Sequence, residues 1–223
     1  MELTDAEGRV LGCLVEKQLT TPQLYPLTDN ALIAACNQTT NRDPVVAYDV
    51  ATVRMAVRTL REKGLLRTVH RTGERSDKHQ HLLDTALPVS PGEVALLAVL
   101  LLRGPQTLAE LRAHTERMHP FDTVEQAQEA LTGLADRDDP LVRLLARQPG
   151  QKEARYIQLM VETGAPPVET QAAQVETQAP QVEPSPAGPS VAALSDQIAL
   201  LRAEVAELRS LVDRLQQQQD DRD

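Results

Sequence analysis

The apolar positions of LTDAEGRVLGCLVEKQL (3–19) include Val10, Leu11, Leu14 and Val15, on one side of a 3.6-residue period, and Thr4 with Glu7 supplies the T-x-x-E start signal. The stretch predicts an amphipathic helix. Two prolines in TTPQLYP (20–26) end it, because proline lacks the amide donor a helix interior needs. Thr28 then caps a second helix with Leu32, Ile33 and Cys36 inward, which stops at Asn-Arg-Asp-Pro. Asp49 caps a third with Val50, Val53, Val57 and Leu60 inward, which stops at Lys63-Gly64. LLRTVHRTG and KHQHLLD follow, two alternating runs about a polar, Gly-containing connection, as in a hairpin. Helix, helix, helix, hairpin is the order of a winged helix-turn-helix.

The order recurs. SPGEVALLAVLLLRG (90–104) opens with a Ser-x-x-Glu box and Pro91 at the first helical position, and TLAELRAHTERM (107–118) opens with Thr107 and Glu110 in the same arrangement. A helix from about Thr123 to Asp136 buries Val124, Ala127, Leu131 and Leu134, and LVRLLARQPGQKEARYIQLM supplies two strands around a Pro-Gly turn. The reading is mainly α with small β-hairpins: two tandem winged helix-turn-helix domains, 1–88 and 89–163.

Residues 164–190 are rich in Pro, Gln and Glu and repeat V-E-T-Q-A at 168 and 175. Such a composition cannot bury a core and reads as a disordered linker, its ends on the order of 30 Å apart. Beyond it, over 191–219, Val191, Leu194, Ile198, Leu201, Val205, Leu208, Val212 and Leu215 alternate at spacings of three and four. β-Branched residues at a with Leu at every d favour a parallel two-stranded coiled coil, so these eight positions are the expected dimerisation seam. Glu204 at g faces Arg209 at e of a partner chain, whereas Leu211 at g departs from the polar pattern. The competing reading is an amphipathic helix folded back onto its own domains.

The string GRVLGCLVEKQLTTPQLYPLTDNALIAACNQTTNRDPV (8–45), with LREKGLLR (60–67), LLLRGPQTLAELRAHTERMHPF (100–121) and RQPGQKEARYIQLM (147–160), resembles the YceH-like family of bacterial proteins over roughly residues 1–163. The resemblance implies a pair of winged helices, no known enzymatic activity and no assigned cofactor. It supports the fold far more than any function.

Composition narrows the chemistry. Only four residues are aromatic (Tyr25, Tyr48, Phe121, Tyr156), so the core is built from Leu, Val, Ile and Ala, and an aromatic-lined cofactor cavity is not expected. No basic N-terminal segment precedes an apolar run, and ALLAVLLL (95–102) is far shorter than the ~20 residues that span a bilayer. The expectation is a cytoplasmic protein with no membrane contact. Cys13 and Cys36 have neither a third partner nor a C-x-x-C spacing, and no histidine lies on the first two helices, so both thiols read as inert packing. His79 and His81 share a strand face, with no carboxylate or cysteine at a diagnostic metal spacing; they read as part of a solvated wing. No catalytic residue, metal or cofactor is assigned.

The net charge of −9 conceals a segregation: residues 1–88 carry 11 Lys+Arg against 11 Asp+Glu, residues 89–163 carry 8 against 11, and residues 164–223 carry 4 against 10. Positions 42–81 alone hold nine basic and five acidic residues. Arg54, Arg58 and Arg61 lie at i, i+4 and i+7, opposite the Val53 and Val57 stripe, and Arg67, Arg71, Arg75 and Lys78 make the hairpin basic. Before them the polar cluster NQTTNR offers Asn41 and Arg42 as phosphate contacts, or as a helix cap and turn. Double-stranded DNA contacted by Asn41, Arg42, Arg54, Arg58, Arg61, Arg71, Arg75 and Lys78 in a homodimeric regulator is the first functional reading. A tandem winged-helix adaptor for a protein partner in a chromosome-associated or other complex is the second. An enzyme is the third, with no constellation to support it.

Overall fold

Thr4 and Glu7 exchange hydrogen bonds with each other's backbone and start helix α1 at Asp5–Thr20, a reciprocal cap worth about 1 kcal/mol. The computed structural model describes residues 2–70, 76–147 and 150–162. By their contacts residues 1–171 form one unit and 172–223 a second, and every described residue lies in the first. The Pro-rich linker and the heptad seam from Val191 to Leu215 therefore lie outside the described residues, as do Arg71 and Arg75.

After α1 come a 3-10 turn (Pro22–Leu24), strand β1 (Leu27–Thr28), α2 (Asp29–Cys36), α3 (Val50–Glu62), β2 (Leu66–Val69), β3 (Lys78–His81) and the short α4 (Leu83–Ala86). Then follow α5 (Pro91–Arg103), α6 (Leu108–Thr115), α7 (Val124–Ala135), β4 (Val142–Leu145) and β5 (Arg155–Gln158). The caps expected from sequence are all made, by Thr28, Asp49, Ser90 and Thr107, Thr123 caps α7 in the same way, and Gly64 (φ 73°) and Gly104 (φ 68°) turn the chain after α3 and α5 in a region that disfavours other residues.

The two halves repeat one arrangement. In the first, the sheet order is β1-β3-β2, all antiparallel, with Leu27 opposite His79 and Leu66 opposite His81. In the second, β4 and β5 pair with Val142 opposite Gln158, and Gln106, just before the Thr107 cap, bridges Tyr156 of β5 as Leu27, just before the Thr28 cap, pairs with β3. The exits from the third helices match bond for bond. Leu65 N–H donates to Leu60 O (2.9 Å) and Leu82 N–H to Leu65 O (2.8 Å); Leu141 N–H donates to Leu134 O (3.0 Å) and Leu159 N–H to Leu141 O (2.8 Å).

These halves share a core instead of standing apart. Residues 92–102 of α5 are buried without interruption, as expected for a helix that is apolar on every side and packed on two. One side serves α6 and α7, and another packs along α1. Gly8 and Gly12 let α1 approach: a Cβ at Gly8 would stand 2.5 Å from Val161 Cγ2, and one at Gly12 would stand 3.0–3.2 Å from Leu102 Cγ, Leu102 Cδ2 and Leu101 Cβ. The chain ends of this body are also tied, Leu3 N–H donating to Met160 O (2.7 Å) and Glu162 N–H to Leu3 O (2.9 Å).

Two core assignments from sequence are corrected. Val50 is 47% exposed and Val124 is 44% exposed, whereas Val53, Val57, Leu60, Ala127, Leu131 and Leu134 are buried. Both valines are the first residue of a third helix, where the axis has already run past the edge of the core.

Candidate nucleic-acid interface

Helix α3 turns Val53, Ala56, Val57 and Leu60 inward, which sends Arg54, Arg58 and Arg61 outward. The Arg54 and Arg58 side chains are 66% and 67% exposed. Arg54 Nε donates to Asp29 Oδ2 (2.8 Å) at the start of α2, and Arg58 Nε to Glu62 Oε1 (3.0 Å) one turn on, while Arg61 is exposed and makes no ion pair among the described residues. Exposed pairs of this kind contribute about 0–1 kcal/mol, so either arginine can exchange its carboxylate for a phosphate at little cost. On the adjoining sheet Arg67 is exposed and, with the Gln80 amide oxygen turned toward it, donates from Nε and Nη2 at 3.0 and 2.9 Å. Lys78 stands at the start of β3, half-buried and with a partner of its own.

The histidines of the hairpin are not a solvated wing. β3 turns His79 and His81 into the fold, 4% and 5% exposed, because the face they share is the one the helices cover. His79 Nε2 donates to Asp29 Oδ1 (2.7 Å), and Thr68 lies 3.2 Å from its Nδ1. Burial raises the Asp29 carboxyl, but the bonds from His79 and Arg54 outweigh it and hold the group below its usual range. Asp29 thus fastens α2 to both α3 and β3. Burial lowers the His81 imidazole, whose Nδ1 accepts from Leu83 N–H (3.2 Å). Of the hairpin histidines only His70 is exposed, paired with Asp77 at 2.8 Å.

NQTTNR resolves into a cap and a latch. Asn37 ends α2 and exchanges two 2.8 Å bonds with the backbone of Tyr48, closing the long loop before α3. Arg42, expected as a phosphate contact, is withdrawn from solvent, and that expectation is corrected. Its guanidinium donates to Glu16 Oε1 (3.0 Å) and Oε2 (2.7 Å), to Ala35 O, to Asn41 O and to Gln38 Oε1, and stands 3.5 Å from Cys13 Sγ. Five acceptors and no solvent leave no capacity for DNA. Asn41 is exposed but sits at φ 60° with its Oδ1 bonded to Arg103 of α5, so its side chain faces the second half.

Sequence inspection passed over the partners of this latch, although they carry a signal. Arg9, Cys13 and Glu16 fall at i, i+4 and i+7, a polar stripe within an otherwise apolar helix, and all are buried. Arg9 Nη2 donates to Pro44 O (2.6 Å), so two arginines hold the 37–48 loop from beneath. Cys13 and Cys36 are both fully buried, and their thiols interact. Burial raises the Cys13 thiol, yet its interaction with Cys36 and the Arg42 charge bring it below the usual range; the same interaction, with burial, pushes Cys36 up. Neither sulfur meets solvent.

The second half offers the opposite charge. Glu125, Glu129 and Asp136 are exposed on or beside α7, where the first half has arginines. Among the described residues no group of three or more His, Cys, Asp or Glu is placed to hold a metal, and no helix is long and apolar enough to cross a membrane.

The chain can be compared with known proteins. The profile of a family described as "Protein of unknown function, DUF480" matches residues 3–151. A UPF0502 protein of Koribacter versatilis is 48% identical over 165 residues, which cover 74% of this chain and 77% of that one. That of Geobacter sulfurreducens is 50% identical over 158 residues (71% and 72%), and that of Klebsiella pneumoniae 45% identical over 166 (72% and 76%). The capped helices, the latch and the repeated sheets lie almost wholly within the matched residues, and the chain belongs to the DUF480, or UPF0502, family of bacterial proteins, with which its YceH-like character agrees.

Proposed function

We propose that this chain is a non-enzymatic, dimeric DNA-binding regulator whose two halves are winged helix-turn-helices, the first of which touches the duplex. The strand order β1-β3-β2 that follows α2 and α3 supports this reading, in which α3 would serve as the recognition helix. The observation that carries the reading is the outward face of α3, where Arg54, Arg58 and Arg61 stand exposed on one side of a rigid helix. Charge selects the first half over the second, since Glu125 and Glu129 on α7 would repel phosphates.

The test is binding of a labelled duplex by fluorescence anisotropy across a salt series. Wild type is expected to bind with an affinity that falls steeply with salt, by a slope of about 0.9 per phosphate neutralised. Replacing Arg54, Arg58 and Arg61 by Gln is expected to abolish binding while shifting stability by no more than about 1 kcal/mol, since only exposed ion pairs are lost and no carboxylate is set against Asp29 or Glu62. Undiminished binding by this variant, or no binding by wild type at low salt, overturns the reading.

Dimerisation through the Val191–Leu215 heptads is part of this reading, because two weak contacts on one coil would act together and favour a two-fold site. Light scattering on a chain ended after residue 163 is expected to give a monomer. A truncated chain that keeps the full-length oligomeric state would move the dimer contact to the winged-helix body.

A protein-binding adaptor is the second reading, favoured by apolar exposure in the second half: Val124 and Leu144 are 44% and 48% exposed, and Val124 borders a groove with Leu108, Ala109 and Ala113. Salt-insensitive capture of a protein in place of a duplex is its signature.

A further inference from the structure

We propose that the groove between the two halves, where α1 and the Asn41 turn face α5 and α6, is a binding site for a small oxyanion, with a phosphate group as the ligand chemistry.

The groove has a volume of about 150 Å³, with Val99, Leu102 and Met118 as apolar wall. That is below the roughly 300–1,000 Å³ of sites for drug-sized ligands and suits an anion of a few heavy atoms. Two arginines, Arg103 and Arg117, are among its lining residues. Arg103 Nη1 donates to His114 Nε2 (3.0 Å) and its Nη2 to Asn41 Oδ1. A guanidinium can only donate, so His114 Nε2 accepts and the imidazole is neutral; its proton sits on Nδ1 and goes to Gln106 Oε1 at 2.5 Å. Both partners of Arg103 are therefore uncharged, and nothing in these contacts balances its charge. Arg117 is exposed and has no carboxylate partner among the described residues.

Glu16 is the acidic residue of the lining, and its charge is already spent. Arg42 takes both its oxygens, and Lys17 Nζ stands 3.0 Å from Oε2. Arg42 and Lys17 thus hold Glu16, while Arg103 and Arg117 line the same groove beside an apolar wall that weakens screening. Burial first, and the charge of Arg42 second, lower the Arg103 guanidinium, and the opposing charge of Glu16 does not make up for them. A tetrahedral oxyanion between Arg103 and Arg117 would supply the missing charge and accept paired N–H donors from each planar fork. Since the groove joins the halves, its ligand would brace them together. This inference does not depend on the reading of α3.

The experiment is isothermal titration of the full-length protein with inorganic phosphate, at ionic strength held constant with chloride. Binding of one phosphate per protomer is expected. Arg117→Gln, at an exposed position that keeps the fold, is expected to weaken it about tenfold, the loss of one charge-assisted contact, and Arg103→Gln at least as much. Arg58→Gln, on the outward face of α3 and not among the lining residues, is expected to leave it unchanged. Glycerol 3-phosphate titrated alongside decides the source: tighter binding than inorganic phosphate assigns the groove to an organic phosphate, weaker binding to the free ion. No heat up to about 10 mM of either compound overturns the proposal, as does equal binding by wild type and Arg117→Gln. A loss in Arg58→Gln alone also overturns it, because it places the anion on α3. Duplex binding by the same proteins is read separately, so failure here leaves the DNA reading to its own test.

Discussion

Replacement of Arg42 by alanine is expected to destabilise the protein by about 3–5 kcal/mol, the usual cost of breaking a buried ion pair from one side. The guanidinium lies out of solvent, and the Glu16 side chain it holds is only 12% exposed. Without Arg42 the carboxylate keeps only Lys17, and the carbonyls of Ala35 and Asn41 lose a donor. For a body of this size the loss is on the order of 10 °C in Tm, measured by thermal or urea unfolding followed by circular dichroism. Arg42→Lys is expected to restore little, because one compact ammonium cannot serve five acceptors placed for a planar fork. The double variant Glu16→Gln with Arg42→Met is expected to be less damaged than Arg42→Ala alone, since no charge is then stranded.

Acidification gives the same deficit a sign. Burial raises the Glu16 carboxyl, but the bonds and charge of Arg42 and Lys17 overcome it, so in the folded wild type it titrates below 4.5. Its contribution is present above 4.5 and is lost as pH falls through the folded value. In Arg42→Ala burial dominates and the group titrates higher, so acid relieves the variant while it weakens wild type. The gap between them should begin to narrow above pH 4.5, as the variant's carboxyl takes up its proton, and go on closing as pH falls through the folded wild-type value. A loss under about 1 kcal/mol at pH 7, or a gap independent of pH, would show that the latch is not what holds the loop.

Gly12→Leu is the second large effect. The helix itself would gain about 1 kcal/mol from losing a glycine. Against this, the first added carbon already stands 3.0 Å from Leu102 Cγ and 3.2 Å from Leu101 Cβ, so three further carbons have no space unless α1 and α5 separate. Over-packing of this extent costs about 3 kcal/mol or more, and the net loss is expected at roughly 2 kcal/mol or above. Gly12→Ala, with one crowded carbon set against the helical gain, should fall near zero. Urea unfolding distinguishes them, and a second transition in Gly12→Leu would show the halves melting apart. Equal stability of the leucine variant and wild type would mean that the crossing yields freely.

Much of the fold is legible in the chain. Each helix start is a local matter: a side-chain oxygen at the cap and an amide three residues on, as at Thr4, Ser90 and Thr107, need no tertiary partner to be recognised. The repeat follows from the same signals occurring twice. ALLAVLLL further announces a helix with more than one packed side, and α5 is indeed buried all round. Periodicity misleads at Val50 and Val124 because it reports a direction around the axis and says nothing of where the core ends along it.

The polar residues are where sequence stops. Arg42, Arg54 and Arg58 are the same residue type in similarly charged neighbourhoods, yet one is sealed and two are exposed. His79 and His81 alternate as a wing would, and only the helices packed on that face make it the inner one. Arg103 meets His114 because α6 packs on α5, and it meets Asn41, 62 residues away, only in the folded body. The sequence by itself determined where the six longer helices start, that the helix-helix-helix-hairpin order occurs twice, and which faces are apolar, since these depend on interactions within a few residues. Strand β1 and the short α4, which begins within the alternating KHQHLLD run, depend on pairing and packing with distant elements. Only the tertiary structure decided which polar groups became a buried latch, an exposed arginine face or an inter-half groove, because burial and charge compensation are set by whichever distant element packs against a side chain.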